Sequence, residues 1–351
     1  MGIKQLFQLI GDHAPCAVSR VGPEVLARAR VGIDFGTVVH RAAKARVVVD
    51  AALHERFEFG DQRHVDMIVQ AMVQLAQRFE HVTWLMDNPG GNPAKHHETA
   101  RRATTARRAV ELRTERGDAL ARVAAMDAQV LVQLRAASVT ALAPTSPPPA
   151  MLGDLRGALG PDLADKVLLG MPLDVAITEK QVFAAGQEFQ GHKVGGTIIR
   201  AVRAGLTAHG QDSIVAPRGV EAEQLGASLQ ARGRIEYVVS EDMDTLCFGA
   251  GRLLCKDDGR AFRCVDLSLV LAGMQLTMPE FVDLCILCGS DFTDETIPRI
   301  GPKTAFKLIA AHRTIEQVMA DRAVAESPRF DYGAARRQFM MPVPYDDILW
   351  A

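Results

Sequence analysis

The chain lacks a surplus of charge of either sign. Forty Lys and Arg stand against 42 Asp and Glu over 351 residues, a formal net charge of −2. It is therefore no general electrostatic magnet for polyanions, and any basic footprint must be local. It also lacks an uninterrupted apolar run of bilayer length and a secretory signal. Cysteine is scarce: Cys16, Cys247, Cys255, Cys264, Cys285 and Cys288 are scattered along the sequence. That excludes a disulfide-framework fold and suggests reduced thiols in an intracellular, reducing compartment. Cys285 and Cys288 form a CxxC, but inside "FVDLCILCG", a helical apolar run. With no second Cys/His pair, it reads as a buried helix face, not a zinc or redox site. "MGIKQL" misses a myristoylation signal because position 6 is Leu. No internal repeat, recognition-helix pattern or zinc-finger pattern is present, which argues against a sequence-specific DNA reader.

What is present is alternation of short apolar runs and helical patterns. "RVGID" (30–34), "HVTWLMD" (81–87), "DSIVAP" (212–217) and "IEYVVSED" (235–242) read as strands. Residues 64–79 and 219–233 read as amphipathic helices. This predicts an α/β fold with a mostly parallel central sheet flanked by helices. Residues 95–136 are rich in Arg and Ala and predict helix. "APTSPPP" (143–149) reads as an exposed linker. Residues 151–176 are mixed and yield no assignment, and helical patterns resume at about 179–208.

Ligands in such sheets bind at the carboxyl ends of strands, and there the acids gather. Asp34 and Asp87 end two strands. Asp242 and Asp244 follow a third, one residue apart, where a strand reading puts both on one side. Glu221 and Glu223 open a helix after another strand, and Asp291 ends "LCGSD". Each alone has a plain explanation as a cap or turn residue. Seven at one sheet edge do not. Clustered carboxylates repel unless cations lie between them. An all-oxygen set without His or Cys suits Mg²⁺, with Mn²⁺ as a substitute. Two such ions ~4 Å apart support in-line phosphoryl displacement. The expected division is Asp34, Asp87, Glu221 and Glu223 around one ion, and Asp242, Asp244 and Asp291 helping to hold the second.

Two further features fit a nucleic-acid substrate. "IPRIGPKTAFKLIAAH" (297–312) reads as a helix–hairpin–helix, with Gly301 in the turn and Lys303 and Lys307 four apart on the following helix. Such a helix start binds phosphate without reading sequence. Lys95 and Arg102, two helical turns apart, are the candidates for contact with the phosphate being cut. The outer arginines read as a solvated face.

The stretches "MGIKQLFQLI", "VGIDFG", "WLMDNP", "APRGVEAEQ", "VVSEDMDTLCFG" and "FVDLCILCGSDFTDETIPRIGPKTAFKLIAAHRTIEQV" together resemble the flap endonucleases of the XPG-type structure-specific 5′ nuclease family. They span most of the chain outside residues 110–205. The resemblance implies a Mg²⁺-dependent nuclease that removes 5′ flaps from branched DNA in replication and repair, leaving a 5′-phosphate and a 3′-hydroxyl. The seven acids would be its metal ligands, and Lys95 and Arg102 its basic pair. The hairpin would bind duplex and hold K⁺, and Gly2 would lie near the substrate. A 5′→3′ exonuclease on nicked or gapped duplex, and a non-cleaving junction-binding scaffold, are the alternatives. His40 stands where the family has an aromatic residue, and Asn88 where it has Gly.

The resemblance also implies one nuclease domain over 1–351. Within it lie an N-terminal region (1–94), a helical arch or cap (95–208) with a Pro-rich insertion around 137–176, an internal region (209–290), the helix–hairpin–helix (291–322) and a short C-terminal segment (323–351). The sequence runs out at "PYDDILWA" without the basic tail or the QxxLxxFF-like motif, so sliding-clamp binding is not expected. A monomer is expected, at the nucleus or a viral replication site, as a divergent, tail-less and virus-type member.

Overall fold

The computed structural model describes residues 3, 5–51, 59–95, 104, 108, 155–169, 171–173, 175–177, 194–322 and 329–344. The chain divides into two compact units. The larger contains Met1–Ala43, Gly60–Ala100 and Val194–Ala351; the smaller contains Lys44–Phe59 and Arg101–Lys193.

The larger unit is built on a seven-stranded sheet in the order β1-β7-β6-β5-β2-β3-β4. Its strands are β1 (Val18–Val21), β2 (Arg30–Asp34), β3 (His81–Met86), β4 (Asp212–Val215), β5 (Tyr237–Val239), β6 (Arg252–Cys255) and β7 (Phe262–Asp266). β6-β5-β2-β3-β4 run parallel; β7 and β1 add an antiparallel edge. The expected mostly parallel α/β architecture is thus found. Val31, Ile33, Trp84, Leu85 and Val238 are fully buried, as strands covered on both faces require. β2 pairs with β3 on one side and with β5 on the other. Chain order reverses across β2, which makes its carboxyl end the crevice where ligands bind in such sheets.

Gly226 brings a helix hard against this crevice, and Gly32 lets Ile235, just before β5, pack close to β2. The helix Ala222–Ala231 covers Leu85, Ile214 and Val238. A Cβ on Gly226 would sit 2.8 Å from Leu85 Cδ1 and 3.1 Å from Val238 Cγ1. One on Gly32 would sit 2.8 Å from Ile235 Cδ1. A side chain at either place would push these neighbours aside, and the close packing at Gly226 holds the helix near the sheet, with Glu221 and Glu223 at its start. A second, larger core joins the helices Leu6–His13, Leu267–Met274, Met278–Cys288, Pro302–His312, Ile315–Asp321 and Tyr332–Met340. The CxxC cysteines are buried there in the helix Met278–Cys288, as the apolar run predicted. Buried Asp283 of that helix takes two hydrogen bonds from Arg336, at 2.7 and 2.8 Å. It also accepts the Ile315 N–H, so three helices are tied at one carboxylate.

Several expectations need correction. β5 covers only Tyr237–Val239, not 235–242. Past Val239 the chain satisfies itself with side chains. The Asp242 N–H donates to Ser240 Oγ, the Asp244 N–H to Asp242 Oδ1, and Thr245 Oγ1 to the Asp242 carbonyl. Such local bonds outcompete a ladder. Asp242 and Asp244 are therefore on a turn and a short helix (Asp244–Cys247), not on a strand. The helix expected over 219–233 is Ala222–Ala231, and that over 64–79 is Gln62–Ala76. β1, β6 and β7 carried no assignment from sequence. Of residues 95–136, only Lys95, Thr104 and Arg108 are described, and the Pro-rich stretch 143–149 lies outside the described residues.

In the smaller unit the helix Pro161–Leu168 gathers Leu155, Leu159, Ala164, Val167 and Ala176 into a separate apolar cluster. This gives structure to part of 151–176, where sequence periodicity was uninformative. Among the described residues no single helix is long and apolar enough to cross a membrane.

His64 links pH to the stability of the larger unit. It is buried, accepts the Gly60 N–H on Nδ1 at 2.9 Å, and places Nε2 3.2 Å from the Ala43 carbonyl. Both contacts are met by a neutral ring with its proton on Nε2. Burial lowers its pKa below the ordinary value, about 6.5. Below that pH the unfolded chain takes up a proton that the folded chain resists, so stability is complete above it and falls as pH drops toward the folded value. Urea-unfolding midpoints at pH 7.5 and 5.5 should fall more for the wild type than for His64→Gln. Equal falls would remove His64 as the source.

Candidate metal centre

Asp34, the last residue of β2, is buried. The Thr37 N–H reaches its Oδ1 at 3.2 Å, and the Thr37 hydroxyl bonds its Oδ2. The β2–β5 register pairs Ile33 with Val239. The next residue, Ser240, therefore stands beside Asp34, and its Oγ donates to Asp34 Oδ2 at 3.0 Å. Asp87 follows β3 directly and accepts the Ala222 N–H at 2.9 Å. That bond ties a strand end to the first turn of the helix carrying Glu223. Gly36 lets the helix after β2 start close by: a Cβ there would lie 3.3 Å from Asp34 Oδ1.

Glu221 is buried and fully engaged. Asn92 Nδ2 donates to Oε1 at 2.7 Å, and Lys95 Nζ to Oε2 at 2.8 Å. Carboxylate oxygens of Asp87, Glu221 and Glu223 lie within 4.8 Å of one another. On the β5 side, Asp244 is buried and accepts the Ile3 N–H at 3.0 Å through Oδ1. Its Oδ2 is buried with no hydrogen-bond partner among the described residues, an acceptor whose burial carries a cost until something positive meets it.

The electrostatics join these acids into one group. Burial holds Asp34 above its usual range, with Asp242 adding repulsion against the Thr37 and Ser240 bonds. Burial also raises Glu223 well above its range, reinforced by Asp34, Asp87 and Asp242. Asp244 is raised by burial, by Asp242 and by Asp291, with Lys95 opposing. Asp87 stands at the exposed rim, yet the surrounding protein displaces enough water to push it up to about 6, with Glu221 and Asp34 contributing. Lys95 is held above the ordinary lysine range by Glu221, Glu223 and Asp244, which overcome its own burial. The predicted acids are thus linked pair by pair, Asp291 through Asp244 and Glu221 through Asp87. The set is hard oxygen throughout, and it includes a buried acceptor, Asp244 Oδ2, that no described residue satisfies. These residues fit hard divalent cations.

The other predicted residues divide. Lys95 belongs to the group. Gly301 caps the helix Pro302–His312, on which Lys303 and Lys307 are exposed, outside the acid group. Gly2 and Arg102 lie outside the described residues. His40 is exposed on the helix after β2. Asn88 bridges the Ala216 carbonyl and the Gly90 N–H, holding the turn that leads to Lys95. Sequence reading missed Thr37, Ser240, Asn92, the Ile3 N–H and Phe292. A hydroxyl three residues after Asp34 at a helix start, and one just after β5, were the available signals.

Known proteins share parts of this sequence and this fold. Residues 210–291 match the XPG I-region family model. Flap endonuclease 1-B of Physcomitrium patens is 42% identical over 147 residues, 39% of this chain and 41% of that protein. Flap endonuclease 1 of Mycosarcoma maydis is 39% identical over 180 residues, 48% of this chain and 46% of its own length. The chain thus spans less than half the length of these curated relatives. The same fold occurs in the catalytic core of Rad2 in complex with DNA substrate (TM-score 0.58, 14% identity, covering 100% of this chain and 91% of that one). It also occurs in flap endonuclease-1 from Methanococcus jannaschii (TM-score 0.58, 15% identity, covering 99% and 87%). The matched I-region contains Glu221, Glu223, Asp242, Asp244 and Asp291, so the similarity to XPG-type nucleases covers five of the seven predicted acids, and the fold is the one found in the Rad2 core and flap endonuclease-1 structures.

Proposed function

We propose that the protein is a structure-specific 5′ flap endonuclease that cuts branched DNA near the single-strand/double-strand junction, acting in replication and repair. The observation that carries this reading is an acid cluster at the carboxyl end of a parallel sheet: carboxylate oxygens of Asp87, Glu221 and Glu223 within 4.8 Å of one another, buried Asp34 and Asp244, and Lys95 on Glu221. A protein that only binds DNA gains nothing from clustered negative charge beside phosphates. Asp34, Asp87, Glu221 and Glu223 would hold one Mg²⁺, and Asp242, Asp244 and Asp291 would help to hold a second. When bound, such ions supply an activated water and neutralise charge at the phosphate.

The chain's own residues account for the rest. Thr37 and Ser240 fix the Asp34 carboxylate. Asn92 orients Glu221. Lys95 keeps a positive charge at the acids and would offer it to the scissile phosphate. Lys303, Lys307 and the start of their helix hold duplex phosphates away from the cut. The products carry a 5′-phosphate and a 3′-hydroxyl.

A labelled double-flap DNA, incubated with and without Mg²⁺ beside nicked duplex and single strand, tests the activity. Mg²⁺-dependent cutting near the flap base supports the reading. Stepwise shortening from a nick identifies a 5′→3′ exonuclease instead, and binding without cutting in Mg²⁺ or Mn²⁺ overturns catalysis. Asp242→Asn should slow cutting more than about 100-fold, beyond what loss of a ligand's hydrogen-bond partner causes, and leave DNA affinity intact. Ser240→Ala should weaken Mg²⁺ dependence by about 10–100-fold in the concentration for half-maximal rate; an unchanged Mg²⁺ titration would deny it that role. Lys303→Ala with Lys307→Ala should weaken duplex binding and reduce the slope of log affinity against log salt by about 2. An unaltered slope would count against contact through this helix.

A further inference from the structure

Lys95 has a partner besides the acids. Its Nζ stands 5.0 Å from the centre of the Phe292 ring. A cation over a ring face is attracted by the ring's quadrupole, more strongly where water is excluded. Phe292 is buried, and Lys95 is mostly covered. The ring is not free to swing away. It meets Phe339 edge-on at 5.0 Å and Phe248 edge-on at 6.3 Å, and Phe248 and Phe339 themselves meet at 5.2 Å. Phe339 lies on the helix Tyr332–Met340, anchored through Arg336 to Asp283.

The position in the chain matters as well. Phe292 directly follows Asp291. The turn after the helix Met278–Cys288 therefore delivers a carboxylate to the acid group and, one residue later, a ring to the lysine.

The ion pair with Glu221 cannot by itself be what keeps Lys95 in place during a reaction. Glu221 has two carboxylate oxygens, and one already accepts from Asn92. A cation drawing on Glu221 competes with Lys95 for the other. The ring carries no such conflict, because its attraction for the ammonium persists whatever Glu221 does.

We propose that Phe292 is a positioning residue for Lys95: with Phe248 and Phe339 behind it, its ring keeps the ammonium at the acid group when Glu221 is engaged by a cation. The catalytic arm of this inference rests on the nuclease reading; the contact itself does not.

The test compares wild type, Lys95→Met, Phe292→Leu, the double variant and Phe292→Tyr, in two measurements. On double-flap DNA with Mg²⁺, Phe292→Leu should lower kcat roughly tenfold with KM within about twofold. It should have no further effect in the Lys95→Met background, and Phe292→Tyr, which keeps the ring, should restore the rate. In urea unfolding without metal, the two single substitutions should be non-additive, as a direct contact requires. An equal loss of kcat from Phe292→Leu with and without Lys95, or unchanged kcat, would overturn the positioning role. Additive unfolding midpoints would overturn the contact. If the wild type cuts no DNA, the nuclease reading fails separately, and the unfolding cycle still decides whether the ring holds Lys95.

Discussion

Carboxylate crowding at the carboxyl ends of β2, β3 and β5 is the constraint around which the larger unit is arranged. Asp34 and Asp244 are buried and Glu223 is drawn in beside them. Burial and mutual repulsion raise all three above the ordinary carboxylate range. A protein selected for stability alone would not assemble this. The surrounding structure supports it with donors: Thr37 and Ser240 on Asp34, Ala222 N–H on Asp87, Ile3 N–H on Asp244, Asn92 and Lys95 on Glu221. These donors come from segments far apart in sequence, so the acid group is also the place where those segments are joined.

Lys95 supplies positive charge to this group from within the protein. It faces Glu221 at 2.8 Å and the Phe292 ring at 5.0 Å. Through that ring the group reaches Phe339 and the helix Tyr332–Met340. The same terminal region touches the acids by a second route: Gln338 Nε2 donates to the Gly219 carbonyl, and Gln224 Nε2 to that of Met341. Gly219 and Gln224 flank Glu221 and Glu223. The last described helix is thus a buttress on both sides of the centre, placed by ordinary packing and hydrogen bonding.

Much of the sheet was legible in advance. β2 matches its predicted span residue for residue, and β3 and β4 fall within theirs, because strands buried on both faces leave dense apolar runs. β5 was over-extended. Its pattern continues into Ser240 and Asp242, whose side chains claim the backbone locally. The antiparallel edge strands escaped notice: β1 is four residues long and β6 starts with an exposed arginine, patterns too short to separate from loop.

The sequence by itself determined which chemistry is available: seven oxygen acids, no His or Cys among them, at strand ends and helix starts of an α/β pattern. Those choices are local, since a strand end and a first helical turn are defined by neighbours in sequence. Only tertiary structure decided how the acids are held and what opposes their charge. Ser240 meets Asp34 through strand register, Ile3 meets Asp244 across 241 positions, and Lys95 meets both Glu221 and Phe292. The strand register sets the first, and the aromatic packing behind Phe292 supports the last. No local pattern encodes them, because the partners become neighbours only when the sheet and its helices close.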